Sequence, residues 1–261
     1  MEHITNLNRE RNQQIINQAK ELNTLLLNNN ITPIFLKGTG NLLAGLYDDI
    51  AERMLGDIDF LFSKYDYPNA ITILRENGYT EVNKYTYYFP YEKHYRRLQK
   101  ENNIAAIEIH RELLDVKKHT KEFNYSVVEK DSQFISQASV LSCANKLNLT
   151  ILSKQINDNG FYYKAVPLRS AYDVFLLSKK TSVKDAVNTL DTLNHPLNCF
   201  LACCYDIFNS VDSLEYNNTK MVASYLSDFN NQFTNPIATK RKNKRIKIYL
   251  FIILRLNIIY R

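Results

Sequence analysis

The chain of 261 residues contains no tryptophan and only six glycines, six prolines and four cysteines. So little glycine and proline excludes collagen-like and linker-rich architectures. None of the four cysteines forms a Cys-x-x-Cys pair, which argues against a zinc or disulfide framework. The first residues are polar and contain no apolar run before a cleavage site, so we expect no secretory signal and a cytoplasmic protein with reduced thiols. An apolar fraction of 45% is that of an ordinary globular protein.

Positive charge is concentrated near the carboxyl end. Eight basic residues and no acidic one occur from residue 240 onward, so the net charge of +6 belongs to this tail and residues 1–239 are close to neutral. A basic segment gives weak support for a nucleic-acid partner, and a solvated helix end explains it equally well. Residues 246–260 are apolar but too few to cross a bilayer, which takes about 20 residues. We expect a helix packed on the second domain, and a helix lying on a membrane surface is the less favoured alternative.

Hydrophobic periodicity and turn residues predict the elements and their order. The predicted helices are 8–28, one from 42, 68–77, 141–151, one from 167, 183–193, 196–209 and 211–229. The predicted strands are 31–36, 57–62 and a hairpin of 85–98 with 104–113. Strands with helices followed by helices alone indicate an α+β domain at residues 1–125, a helical domain at 126–239 and a tail at 240–261.

Acidic and apolar residues alternate in the segment 56–61, Gly-Asp-Ile-Asp-Phe-Leu. Residues two apart in a strand point to one face, so Asp57 and Asp59 share a face. A cation between them relieves their repulsion, and hard carboxylate oxygens favour Mg²⁺. A solvent-exposed edge strand explains a lone Asp-x-Asp as well. The alternation recurs in a later strand, where Glu108 and His110 share a face, and a third carboxylate there would complete a site for two metal ions.

A strand, a glycine turn and a helix are predicted around Lys37, Gly38 and Thr39. Backbone N–H groups at the start of a helix bind phosphate, and Lys37 adds a positive charge. Most glycine turns are only turns, so this segment has weight only together with the carboxylates. The three features together predict a phosphate site beside a metal pair and a third carboxylate.

These motifs occur in an order that is seen in a known family. The ordered set is Leu36-Lys37-Gly38, Leu46-Tyr47, Arg53, the segment 56–61, Gly78-Tyr79, His94 and Ile107-Glu108-Ile109-His110. The chain thereby resembles the uncharacterised bacterial nucleotidyltransferase family, part of the DNA polymerase β-like nucleotidyltransferase superfamily. The resemblance is good from residue 31 to residue 114 and continues weakly at 168–173, Leu-Arg-Ser-Ala-Tyr-Asp.

The resemblance implies a mixed β-sheet core flanked by helices and followed by a helical part. It also implies transfer of a nucleoside monophosphate from an NTP, with ATP favoured, to a hydroxyl of an unknown acceptor, with release of pyrophosphate. Two Mg²⁺ ions, or Mn²⁺ as a substitute, are the implied cofactors. The implied metal-binding and catalytic residues are Asp57, Asp59 and Glu108. The residues expected to bind the nucleotide are Lys37, Gly38, Thr39, Arg53 and His110.

Several interpretations stay open at this point. Arg53 is a surface arginine at a helix end or a phosphate contact, and His110 is a buried structural histidine or a site residue. Arg169 and Asp173, four apart on a helix, are expected to form an ordinary surface ion pair. The alternative function is a catalytically silent, antitoxin-like module that binds a nucleotide or a partner protein.

Overall fold

A computed structural model describes residues 2–82 and 93–259 and contains one mixed β-sheet. Its strands are β1 Ile34–Phe35, β2 Asp57–Leu61, β3 Thr80–Glu81, β4 Leu98–Gln99, β5 Ala106–His110, β6 Gln133–Ile135 and β7 Ala138–Val140. They lie in the order β3-β4-β5-β2-β1-β7-β6. The pairs β1 with β7 and β2 with β5 are parallel, and the other neighbours are antiparallel.

Helices flank the sheet, and in the described chain all regular secondary structure after β7 is helical. They are α1 Glu2–Leu27, α2 Lys37–Leu43, α3 Asp66–Glu76, α4 Tyr125–Val128, α5 Cys143–Leu152, α6 Gly160–Tyr163, α7 Leu168–Ser178, α8 Val183–Asn188, α9 Asn194–Ile207, α10 Lys220–Thr234 and α11 Pro236–Ile259. Short 3₁₀ turns occupy Ile50–Glu52, Glu129–Asp131 and Asp212–Leu214, and α5 continues as a π-helix, Ser153–Asn157. The expected α+β class, with a mixed sheet and a helical carboxyl-terminal part, is confirmed.

Helix α1 packs its apolar face into the core, as its spacing predicts. Ile15, Ala19 and Leu26 are fully buried on that face. Gln18 fixes the helix to the sheet: its side chain donates to the backbone oxygen of Ala105 at 2.9 Å and accepts from the backbone N–H of Ala105 at 3.1 Å. This pair of bonds satisfies polar groups that burial would otherwise leave without partners.

The sheet contains more strands than the sequence predicts. Leu98 lies opposite Ile107 in the antiparallel pair β4–β5, so the described part of the predicted hairpin is present, while residues 83–92 lie outside the described residues. Strands β6 and β7 follow residue 125, where we expected the sheet domain to end, and β7 lies parallel to β1. A parallel partner so distant in sequence leaves no local signal. The division into domains stays a prediction.

The glycine segment expected to be a turn before a helix is itself the first turn of α2, which begins at Lys37 and not at residue 42. A Cβ atom on Gly40 would lie 2.5 Å from the backbone oxygen of Phe35. Glycine is therefore required for the close approach of α2 to the end of β1. The packing of a helix on a strand, rather than a turn, explains the glycine at this position.

The tail forms helix α11, which contacts α10 and α6. An ion pair of 3.1 Å joins Lys242 of α11 to Asp228 of α10. The apolar residues that we expected to pack on the helical part are still half exposed at Ile248, Tyr249 and Ile252, with 50–54% of their surface accessible, so the docking of this segment stays a prediction. Within residues 2–82 and 93–259, no helix combines the length and the hydropathy that a membrane span requires.

Candidate active site

The register of β2 against β5 brings the predicted acidic residues together. The two strands are parallel, with Asp59 opposite Glu108 and Leu61 opposite His110. Because side chains alternate across a strand, Asp57, Asp59, Glu108 and His110 all lie on one face of the sheet. Ile58, between the aspartates, is fully buried on the other face, as the alternation predicts.

Three of these side chains form a compact cluster that could hold a metal ion. Asp59, Glu108 and His110 can each offer a ligand atom, all within 4.8 Å of one another. His110 Nε2 lies 2.9 Å from Asp59 Oδ1, and both side chains are almost completely buried. The sequence placed His110 at the nucleotide and Asp57 in the metal set. In the structure His110 belongs to the cluster, because its place on β5 is two residues from Glu108.

Lys37 lies inside this cluster and does not point freely toward a phosphate site. Its ammonium donates to Asp59 Oδ1 at 2.5 Å and lies 3.6 Å from Glu108 Oε2. The backbone of Lys37 is in the left-handed region, with φ +49°, which costs a residue other than glycine on the order of 1 kcal/mol or more. This corner between β1 and α2 directs the ammonium to the carboxylates.

Arg97 is the second cation of the cluster. Its Nη2 donates to Asp57 Oδ2 at 2.7 Å, and its Nε lies 3.9 Å from Glu108 Oε1. Sequence analysis missed Arg97, since nothing in its neighbourhood marks it as different from any basic residue in a strand. Three carboxylates are thus matched by two cations and a histidine.

The environment shifts the pKa values of these groups in opposite directions. Burial opposes the charged forms, yet Lys37 and His110 outweigh it and lower the pKa of Asp59. The pKa of Glu108 is lowered by the same two neighbours against the effect of burial. Burial and the negative charges of Asp59 and Glu108 raise the pKa of Asp57. The pKa of Lys37 is raised because the attraction of the carboxylates exceeds the cost of burial.

Gly38 and Thr39 have different places in the structure. Gly38 lines the cleft beside the carboxylates, and a Cβ atom there would meet Leu55 Cδ2 at 2.5 Å. Thr39 is 1% exposed, and its hydroxyl donates to the backbone oxygen of Asp57 at 3.1 Å. Glycine at position 38 is therefore required for the close approach of Leu55, and the hydroxyl of Thr39 ties α2 to β2.

Arg53 lines the cleft, and a residue of α7 in the helical part of the chain fixes its position. Its Nε donates to Asp173 Oδ2 at 3.1 Å, and the hydroxyl of Tyr47 donates to Asp173 Oδ1 at 2.8 Å. The expected surface ion pair of Asp173 with Arg169 is therefore wrong: Asp173 is 3% exposed and is bonded to Arg53. Spacing along one helix cannot reveal a partner 120 positions away.

The carboxylates and Arg53 line a cleft of about 360 Å³, a size typical of small-molecule sites. One wall comes from the strands and the α2 corner. The other comes from α5, its π-helical extension and α7, with Lys154, Arg169 and Ser170 among the residues that line it. The cleft is thus formed jointly by the sheet and by helices that follow it in sequence.

Residues 1–208 match the family described as uncharacterised nucleotidyltransferase. The chain belongs to this family. No curated protein and no solved structure matches it. The family match confirms the resemblance and extends through α9, so both walls of the cleft lie within it. Membership in the nucleotidyltransferase family supports a transferase.

The donor atoms of the cluster fit a divalent cation. Carboxylate oxygens are the ligands that Mg²⁺ and Mn²⁺ prefer, and an imidazole nitrogen is more typical of transition metals. The ammonium of Lys37 holds positive charge beside the same oxygens. A cation bound by Asp59 and Glu108 would therefore compete with Lys37 for them.

Proposed function

We propose that the protein is a Mg²⁺-dependent nucleotidyltransferase that moves a nucleoside monophosphate, with AMP favoured, from an NTP to an acceptor hydroxyl. The observation that carries this proposal is the pairing of Asp59 with Glu108 across parallel strands, with Asp57 on the same face. Buried carboxylates that repel each other are costly, and divalent cations with bound phosphates offset that cost. Family membership independently supports the same chemistry.

In this reaction the acceptor oxygen attacks the α-phosphorus, a new P–O bond forms, the bond to the β-phosphate breaks, and pyrophosphate leaves. Divalent cations held by Asp57, Asp59 and Glu108 would supply charge neutralisation at the phosphates. Glu108 is the proposed acceptor of the hydroxyl's proton; Lys37 and His110 lower its pKa, which keeps the carboxylate ionised and makes it a weak base. Positioning and charge neutralisation provide most of the acceleration in such transfers.

The cations of the cleft bind the polyphosphate. Arg53 has its Nε and Nη1 committed to Asp173 and to the backbone oxygen of Met54, which fixes the plane of the guanidinium. Its Nη2 lies 3.5 Å from the Cβ position of Gly38, so the guanidinium lies beside the corner between β1 and α2 that lines the cleft. Lys37 would be able to bind phosphate oxygens if a divalent cation replaced its ammonium beside Asp59 and Glu108.

The test is transfer of label from α-labelled ATP, GTP, CTP and UTP in Mg²⁺ or Mn²⁺, with candidate acceptors and with the protein itself. We expect transfer by the wild-type protein and its loss in Asp59→Asn and Glu108→Gln. Asp185→Asn is the matched control, because this carboxylate is exposed on α8, away from the cleft. Transfer by Asp59→Asn and Glu108→Gln at the rate of the control would contradict a role of the cluster.

One observation favours the silent module as a second candidate. Lys37 and Arg97 already neutralise the carboxylates without any metal ion. A silent module predicts no transfer from any NTP, and nucleotide binding that is equal in wild type and Asp57→Asn with or without Mg²⁺. Transfer of label by the wild-type protein, lost in Asp59→Asn, would exclude the silent module.

A further inference from the structure

The amino-terminal turn of α7 opens into the cleft without a side-chain cap. Pro167 precedes the helix and no side chain bonds to its first N–H groups. The N–H groups of Leu168 and Arg169 make no hydrogen bond with any residue in the described part of the chain, whereas those of Ser170 and Ala171 bond to the oxygen of Pro167. An eleven-residue helix has a partial positive charge at this end, and uncapped N–H groups are donors to an anion.

Ser170 supplies an independent indication of a ligand. It is 3% exposed and lines the cleft. Its hydroxyl makes no hydrogen bond within residues 2–82 and 93–259, and its oxygen is still accessible from the cleft, where a ligand can reach it. A ligand oxygen at the start of α7 would satisfy it.

Two guanidinium groups complete the surroundings of this turn. Arg169 is exposed, lines the cleft and has no carboxylate within ion-pair distance among the described residues. A cation at the positive end of a helix is unfavourable unless an anion is nearby; Asp173 interacts with Arg169 at longer range, and a bound phosphate would add a direct partner. Arg53 lies on the same side, because Asp173, one turn after Arg169 on α7, holds it.

We propose that the first turn of α7, with Arg169, Ser170 and Arg53, is a binding site for a phosphate group. Two guanidinium groups, a hydroxyl and uncapped N–H groups match the several acceptor oxygens of a phosphate. The phosphate is either the terminal part of the NTP or a group on the acceptor. That it belongs to a substrate rests on the proposed function, whereas the binding itself does not.

The first experiment titrates the full chain with inorganic tripolyphosphate and with inorganic phosphate in EDTA, by calorimetry. We expect Arg169→Gln to weaken binding about tenfold, as loss of a charged hydrogen bond does, and Ser170→Ala to weaken it less. The matched control is Lys180→Gln, which removes one positive charge beyond the other end of α7. Equal affinities in Arg169→Gln, Ser170→Ala and the control would overturn the proposal, and unchanged unfolding midpoints exclude misfolding as the cause.

The second experiment separates the two sources of the phosphate with a non-hydrolysable ATP analogue. If Arg169→Gln also weakens binding of the analogue, and inorganic phosphate competes with the analogue, the site holds the terminal phosphates of the nucleotide. If the analogue binds normally while phosphate does not, the site holds a phosphate of the acceptor. Both outcomes support the site. Absence of label transfer would refute the proposed enzyme activity and leave these binding results unchanged.

Discussion

The ammonium of Lys37 lies 2.5 Å from a carboxylate oxygen of Asp59 that also contacts His110. Lysine and histidine therefore share the oxygen that a divalent cation would use. The buried carboxylate has its charge balanced by the protein itself, and any metal ion has to compete for it. The same contact would couple the stability of the protein to the binding of a metal ion.

Replacing Lys37 by methionine is expected to destabilise the metal-free protein by about 1–3 kcal/mol, since the buried carboxylate of Asp59 loses a cation that is itself one-third exposed. It should also increase the stabilisation by Mn²⁺, because the cation no longer competes with an ammonium. Thermal unfolding with EDTA and with Mn²⁺ measures both effects. Lys64→Met, at an exposed position, is the control. If Mn²⁺ raised the unfolding temperature equally in Lys37→Met and in wild type, the proposed competition between Mn²⁺ and the Lys37 ammonium would be contradicted.

The two aspartates of β2 are expected to respond to amide substitution with opposite signs. The fold raises the pKa of Asp57, so the folded state holds its proton more tightly than the unfolded state, and ionisation lowers stability. Asp57→Asn should therefore be more stable than wild type at pH 7, with the difference vanishing as pH falls.

Asp59 behaves in the reverse way, because its pKa is lowered in the fold. Its stabilising contribution is present above the unfolded pKa of about 4 and is lost as pH falls below it. Asp59→Asn should be less stable than wild type at pH 7. Urea unfolding in EDTA from pH 3 to pH 7 measures both variants, and effects of the same sign would refute the assignment.

Lys146 is buried in α5, and burial lowers its pKa to about 8. The unfolded state keeps the proton up to about pH 10.4, so stability should rise between pH 8 and that value. Lys146→Met removes the cost of burying the charge and should be more stable at pH 7, with a smaller gain at pH 10. Urea unfolding midpoints test this, with Lys184→Met as the exposed control. If the gain in stability of Lys146→Met is as large at pH 10 as at pH 7, better packing of methionine explains it, and the buried charge does not.

Gly40→Ala is expected to destabilise the protein by roughly 1–3 kcal/mol, because the new methyl group would meet the backbone oxygen of Phe35. The backbone of β1 cannot move away without breaking its pairs with β2 and β7. Gly56→Ala is the control, since its Cβ position has no atom within 4 Å. Denaturant unfolding of the two variants gives the comparison, and similar stabilities would show that α2 can shift away from β1.

Helices could be predicted where one apolar face continues over several turns. The helix predicted at 8–28 is α1, Glu2–Leu27, and that at 196–209 is α9, Asn194–Ile207. The single helix predicted at 211–229 is instead a 3₁₀ turn followed by α10, Lys220–Thr234. Leu190 and Leu193 lie after the end of α8 and are buried in the core all the same. An apolar pattern therefore predicts which residues are buried, but it does not predict where the helix ends.

Alternation within a strand predicts which side chains of the candidate site share a face, and nothing beyond that. Strict period-two alternation put Asp57 with Asp59 and Glu108 with His110, because a strand offers only two faces. That β5 lies beside β2, with Asp59 opposite Glu108, is a property of the sheet. No pattern within either segment specifies the neighbour.

The sequence by itself therefore determined the fold class, the acidic strands and the family resemblance, since these depend on local periodicity and ordered motifs. Only the tertiary structure decided the ionic partners: Lys37 with Asp59, Arg97 with Asp57, and Arg53 with Asp173. These pairs join residues 22, 40 and 120 positions apart. Coulombic attraction acts through space, so charged side chains pair with whichever partner the packed backbone brings within a few ångströms.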